Sequence, residues 1–582
     1  MKTHKLTAML AWASLTGGVL TSCICDEGPD SGQCPVTDRV MVLSLAVEGS
    51  TRANPTPGDD GDGRLPGSVN ESDVNDVNIF VYNNATGLEG AGDCPISYHI
   101  YAEKKDLIDI EYDDTPGAEI ERKFKVRLAV SAEGYEPKEN DYILVLANYG
   151  MKYPIERSAK IKDLANKVFS HTWIGDGLNN PYECTGFMMS TARNSVSDGR
   201  VNPNAQASKK YPNVIAAETY IERMASRIDW MYKDSNEPGA GDPADCLSYL
   251  VETKDGEPLG NGTKIYLQKI LPVNMILPRE SGQITDGGVY MLKHLTENTT
   301  LTDATSLTDL KWCVTEGPRD VVPQRYVVEP RTISKLSNGT TFIENFYGAT
   351  AAASITAADF ASAPVLAGEG SRMAQAIENG NSTTEQNYDF NRFMVFSYCH
   401  ENTQHQSNHS SDFVTGLALK CIYRPAKVYG DYDATTGKLT EDTGYETGGD
   451  LWRYSPTSQS MSEREAVYFS NVAALNKYAA AANHSGPFVK SFYAGACCYY
   501  NVWLRHANTD VYNNSWRLGG NDPHRTFPME YGIVRNNIYR IGVSFTGPGT
   551  PDLELREPDN ARFRIFVRKW NLRQFPTVDI EL

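Results

Sequence analysis

Apolar and polar residues alternate with a period of two along most of this chain, and that rhythm restricts it to β-sheets more than any other feature it has. A strand turns successive side chains to opposite faces. Val77-Ile79-Val81, Ile143-Val145 and Phe124-Val126-Leu128-Val130, the last with Lys125 and Arg127 between, therefore each supply one apolar side. Phe563-Ile565-Val567 does the same with Arg562, Arg564 and Arg568 outward. These segments predict sheets with one dry face. Helical patterns are few: Ile155 to Phe169, rich in Lys, Ala and Leu, and Ser462 to Ala482, Ala-rich ahead of Asn483-His484-Ser485-Gly486. The expected class is mainly β with a few helices.

The first residues read as an export signal. Lys2 and Lys5 give a positive start, and Leu6 to Leu20 is an apolar run too short and Gly-interrupted to span a bilayer comfortably. Residues 1–22 are expected to be removed, and Leu20-Thr21-Ser22-Cys23 resembles the lipobox of bacterial lipoproteins, which makes Cys23 the expected lipidation site. A formal net charge of -18 argues against a nucleic-acid partner, since neutralising phosphates needs clustered Lys and Arg. Eleven Cys in 582 residues are too sparse for a disulfide scaffold, and their pairing is left open. That length suggests several units. The polar run Arg193 to Pro212 is the expected boundary, and the Gly/Pro/Asp-rich stretches Asn54 to Gly67, Asp234 to Ala244 and Gly547 to Asn560 read as linkers or surface loops.

Motifs that could carry chemistry fall short. Cys399-His400-Glu401-Asn402-Thr403-Gln404-His405 with His409 lacks the four-residue His spacing of a zincin helix and reads as a solvated loop. Asp431-Tyr432-Asp433-Ala434-Thr435-Thr436-Gly437 places its Gly one position late for a calcium loop and reads as a hairpin turn. Asp60-Gly61-Asp62-Gly63 is more simply a cleavable linker. No nucleophile elbow, phosphate loop or dinucleotide fingerprint is present, so no catalytic residue, cofactor or metal is expected and the chain reads as a non-enzyme.

Several segments, taken in order, resemble the fimbrillins of Bacteroidales, the shaft subunits of donor-strand pili, and most closely the longer minor-fimbrium type. They are the lipobox at Cys23, a first strand closing on Gly49-Ser50-Thr51-Arg52-Ala53, Asp141-Tyr142-Ile143-Leu144-Val145-Leu146-Ala147-Asn148, Phe187-Met188-Met189-Ser190 and Tyr220-Ile221-Glu222-Arg223-Met224-Ala225-Ser226-Arg227. The weightiest is the ending: Val534-Arg535-Asn536-Asn537-Ile538-Tyr539-Arg540-Ile541, then Ile565-Phe566-Val567-Arg568-Lys569-Trp570, then Val578-Asp579-Ile580-Glu581-Leu582. The resemblance implies two transthyretin-like β-sandwich domains, at 53–212 and 213–582, behind a propeptide at 23–52. It also implies an outer-membrane lipoprotein precursor that an Arg-specific protease cuts between Arg52 and Ala53. The product is a surface fimbrium serving adhesion and biofilm formation, built of head-to-tail copies with accessory fimbrial subunits.

The residues make that assembly chemically sensible. Met41, Leu43, Leu45 and Val47 share one face of a compact strand, with Ser44 and Ala46 on the other. Losing such a strand leaves an apolar groove with unpaired backbone groups, which invites a replacement. The expected donor is a neighbour's C-terminal tail, because Trp570, Leu572, Val578, Ile580 and Leu582 share one parity while Asp579 and Glu581 point away. An ordinary last strand folded into its own domain is the bland alternative for that tail. For the whole chain the alternatives are a fimbrial anchor or tip subunit, or a monomeric glycan-binding surface lipoprotein.

Overall fold

A computed structural model describes residues 40–47, 64–66, 69–85, 91–109, 124–126, 135–165, 167–192, 199–205, 214–253, 257–259, 262–275, 289–291, 333–335, 341–342, 355–379, 391–402, 414–456, 466–481, 488–504, 533–554 and 560–571. The class is mainly β, in several sheets that are largely antiparallel. In the first sheet the order is Val40–Val47, Val214–Arg223, Met189–Ala192, Asp141–Ala147, Asp76–Asn83, Ile96–Glu103, with Val201–Ala205 also pairing on Val214–Arg223. The second runs Asn391–Cys399, Ser226–Lys233, Asn537–Phe545, Ala561–Asn571, Arg64–Pro66.

Within the first sheet residues 76–82 and 141–147 are dry on both faces, not on one as their alternation suggested, while the border strand Ile96–Glu103 keeps exposed positions. Val77, Ile79, Val81, Ile143 and Val145 enter a core shared with Ile228, Trp230 and Ile538 of the second sheet, which makes the two a packed sandwich. The intervening Phe80, Tyr82, Tyr142, Leu144 and Leu146 enter a second core with Ile161, Leu164, Phe169, Val289 and Met291. Even the polar Asn78 is fully buried there, its Oδ1 accepting from Tyr153 N at 2.7 Å. The covering layer comes from the segment expected to be one long helix. Among its described residues only Ile161–Ala165 is helical, and Val168–Phe169 pairs instead with Val289–Tyr290.

The chain passes from the first sheet to the second at Met224–Ala225, and Val214–Arg223 is bound by its ladder to Met189–Ala192. The third sheet is ordered Leu247–Leu250, Lys264–Val273, Gly416–Arg424, Cys497–Trp503 and is antiparallel throughout. Between its last two strands the chain leaves to build a fourth sheet: Lys438–Glu441, Tyr429–Asp433, Val467–Phe469, Leu451–Pro456, Phe488–Tyr493. The helix Val472–Ala481 covers one face through Ala474 and Leu475 against Tyr454 and Phe469. Part of the run expected to be helical from Ser462 is thus strand at Val467–Phe469, where β-branched and aromatic residues gain more by packing in a sheet. The Asp431 to Gly437 segment is a hairpin: Asp433 lies opposite Lys438, and its Oδ1 accepts from Thr435 N at 2.8 Å.

Candidate assembly edge and the buried clamp beside it

The expected first strand, Val40–Val47, forms as such and lies at the border of the first sheet, parallel to Val214–Arg223. Its register places Met41 opposite Ile215, Leu43 opposite Ala217, Leu45 opposite Thr219 and Val47 opposite Ile221. Those four partners are all at most 3 % exposed. On its other edge Val214–Arg223 is held by Val201–Ala205 and Met189–Ala192, so removing the leader strand would bare one edge and leave the rest of the sheet paired. Phe124–Val126 runs alongside the leader strand and makes a second wall. The ladder that holds it is parallel, and parallel ladders are slightly weaker per residue than antiparallel ones.

The other predicted residues divide. Cys23, Arg52 and Ala53 lie outside the described residues, as do Leu572, Val578, Ile580 and Leu582. Trp570 lies in the strand Ala561–Asn571, opposite Leu65 of the short parallel strand Arg64–Pro66. The segment 48–63, which contains Arg52, therefore links the border of the first sheet to the border of the second.

Two segments singled out by resemblance, Tyr220 to Arg227 and Val534 to Ile541, meet in the interior. Asn536 N donates to Ala225 O at 2.7 Å and Ser226 Oγ to Val534 O at 2.6 Å. Around this splice, four arginines and four carboxylates are all at most 5 % exposed: Arg223, Arg227, Arg535, Arg540, Glu71, Glu222, Asp229 and Glu401. Arg227 donates from Nε and Nη2 to the two oxygens of Asp229, at 2.8 and 2.9 Å, and from Nη1 to both oxygens of Glu71, at 3.2 and 3.1 Å. The Tyr398 hydroxyl also donates to Glu71. Arg540 Nε reaches Asp229 Oδ2 at 3.2 Å while its guanidinium lies 3.7 Å over the Phe393 ring. Arg535 Nη2 donates to Glu401 Oε2 at 2.7 Å, and Arg223 Nε to Glu71 O at 2.9 Å.

Burial pushes the Arg223 guanidinium down to about 9 and that of Arg535 to about 10. For Arg227 burial acts the same way, but the carboxylates of Asp229 and Glu71 outweigh it and hold the group above its ordinary value. Balanced charge lets so many ions share one dry space. Periodicity could not reveal this cluster. Its only trace in the sequence was the density of Arg, Glu and Asn inside otherwise strand-like runs.

Cys399 to Asn402, expected in a solvated loop, is core instead: Cys399 pairs opposite Ser226, and His400 and Asn402 are fully buried. His405 and His409 lie outside the described residues, and no group of three metal-ligating side chains occurs among the described ones.

The His400 imidazole stands 5.2 Å from the Trp173 ring, edge to face, and neither ring nitrogen has a hydrogen-bond partner among the described residues. Burial, with His171 and Arg535 adding, pulls it from 6.5 down to about 3. Between those two values the unfolded chain carries a proton on His400 that the folded chain refuses, so stability falls as pH drops through that window. The slope from one such group is about 1.4 kcal/mol per pH unit. Urea unfolding at pH 7 and pH 4.5 is expected to show His400→Phe losing roughly 2 kcal/mol less than the unsubstituted protein over that interval. Equal losses would remove His400 as the titrating group.

Residues 491–573 match the family model described as major fimbrial subunit protein type IV, fimbrillin, C-terminal. Among solved structures, a fimbrilin from Porphyromonas gingivalis is similar at 14% identity and a TM-score of 0.34, over 93% of this chain and 100% of that one. A tip fimbrial protein from the same organism is similar at 9% identity and a TM-score of 0.30, over 92% of this chain and 100% of that one. No curated protein matches the chain. The family match spans the strands Cys497–Trp503, Asn537–Phe545 and Ala561–Asn571, including the half of the splice that runs from Val534 to Ile541, so the chain carries a C-terminal region similar to that of the fimbrillins.

Proposed function

We propose that this chain is a structural subunit of a cell-surface fimbria, exported as an outer-membrane lipoprotein tethered at Cys23 and cut by an Arg-specific protease between Arg52 and Ala53. Copies then join head to tail by donor-strand exchange, with accessory subunits engaged by the same chemistry, in support of adhesion and biofilm formation. One observation carries the reading: an eight-residue border strand pairs in parallel with Val214–Ile221 and continues into the rest of the chain only through 48–63. A cut in that segment would leave the strand held by its ladder and packing alone. The bared edge would then accept the tail beyond Asn571, and a head-to-tail contact that does not close on itself propagates into a fibre.

N-terminal sequencing of the surface-exposed form tests this, with trypsin treatment of the purified precursor followed by gel electrophoresis without boiling. The expected results are a new terminus at Ala53 and a ladder of high-mass species. A surface form that keeps Arg52 intact would be an anchor instead, and a trimmed chain that stays monomeric would end the proposal.

A further inference from the structure

We propose that Cys421 and Cys498 are joined by a disulfide across the third sheet, a staple at the neck of the module that carries the fourth sheet. The strands Gly416–Arg424 and Cys497–Trp503 are antiparallel neighbours, and their register sets Cys421 directly opposite Cys498. Both stand as thiols in the structure, fully buried in the same core. The chain between them, Tyr429 to Tyr493, builds the fourth sheet and its helix, so these two strands are where it leaves and returns.

The kind of pair follows from the ladder. Leu504 N donates to Thr415 O at 2.9 Å, which makes that opposed pair a hydrogen-bonded one. Hydrogen-bonded pairs recur at every second position, and Cys421 with Cys498 lies an even number of steps along. Tyr499 agrees with this, since it exchanges both backbone bonds with Thr550 on the other edge, at 2.9 and 3.0 Å. A hydrogen-bonded pair has Cα atoms about 5.5 Å apart, within the usual disulfide range. The Cβ atoms must close by up to about 1 Å, so the bond carries strain and is reducible. Cys497 is opposite Ile422 and turns to the other face. Cys246 is the remaining nearby sulfur and the competitor to exclude.

The bond forms by exchange with a disulfide-bearing oxidant. One cysteine thiolate attacks the oxidant's disulfide and expels a thiolate; the second cysteine thiolate attacks the mixed disulfide and expels the other. Two thiols are oxidised, one disulfide is reduced to two thiols, and the two protons pass to the departing thiolates. Burial holds the Cys421 thiol well above its ordinary value, with Cys498, Cys497 and Cys246 adding to it, so closure belongs to folding, before the strands are covered. An oxidising compartment in the cell rests on the export proposed above; the pairing itself does not.

The test is refolding of the full, reduced chain in a glutathione/glutathione-disulfide buffer, followed by alkylation, trypsin digestion and mass spectrometry without reduction. The dominant species expected is Cys421–Lys427 linked to Ser491–Arg505 with Cys497 alkylated, two hydrogens lighter than the sum of the two peptides so alkylated, and the same link kept in Cys497→Ser and in Cys246→Ser. Separately alkylated Cys421 and Cys498, or a link through Cys246 or Cys497, overturns the proposal. A link present on refolding but absent from protein recovered from whole cells upholds the pairing and counts against the export.

Discussion

The Arg52→Ala precursor is expected to remain monomeric under conditions in which the unsubstituted precursor, treated with trypsin or the cell's Arg-specific protease, forms a ladder resistant to detergent without boiling. With 48–63 uncut, the leader strand stays an intramolecular partner of Val214–Ile221. A tethered strand competes at an effective concentration in the millimolar range, which a neighbour's tail in dilute solution does not reach. Deleting Val578 to Leu582 should abolish the ladder from the donor side. Burial of Val578, Ile580 and Leu582 supplies roughly 5–9 kcal/mol at about 1.5–3 kcal/mol each, before the cost of ordering the tail. Mixing the two variants after trypsin treatment adds a control, because neither has both an accessible groove and a complete tail. A normal ladder from either variant alone would remove donor-strand exchange as the mechanism.

Asp229→Ala is expected to destabilise the folded chain by about 3–5 kcal/mol, read as a shift in the urea midpoint. Asp229 is fully buried and serves Arg227 through two hydrogen bonds and Arg540 through a third. Without it Arg540 loses the Asp229 carboxylate at Nε while keeping the Phe393 ring, and Arg227 loses one of its two carboxylates and keeps that of Glu71. Asp229→Asn should cost nearly as much, since the shape survives and the charge does not. Asp93→Asn is the control: Asp93 meets Lys160 and Lys162 at 3.1 and 3.0 Å but is 77% exposed, where solvent screens the pair, and no measurable change is expected. If Asp229→Asn matched the unsubstituted protein, the clamp would be held by packing and not by charge.

Under the strand exchange proposed above, the clamp also bears on assembly. Glu222 and Arg223 directly follow Ile221, the last residue paired with the leader strand, and Glu71 follows closely on Arg64–Pro66, which pairs with Lys569 to Asn571 at the root of the tail. The groove strand and the partner of the tail's root thus both lead into one buried ionic cluster.

Local pattern was enough for the strand class, for the leader strand at Val40–Val47 and for the hairpin at Asp433, because a period of two and turn chemistry depend on residues a few positions apart. It failed where the outcome depended on what arrives from far along the chain. Residues 76–82 and 141–147 are dry on both faces only because Ile161, Leu164, Phe169, Val289 and Met291 cover the second one. Cys399 to Asn402 reads as solvated until Arg535 arrives to pair with Glu401. The ionic clamp unites residues from 71 to 540, and its charges are tolerable in the interior only in each other's company, so no window of sequence could have announced it.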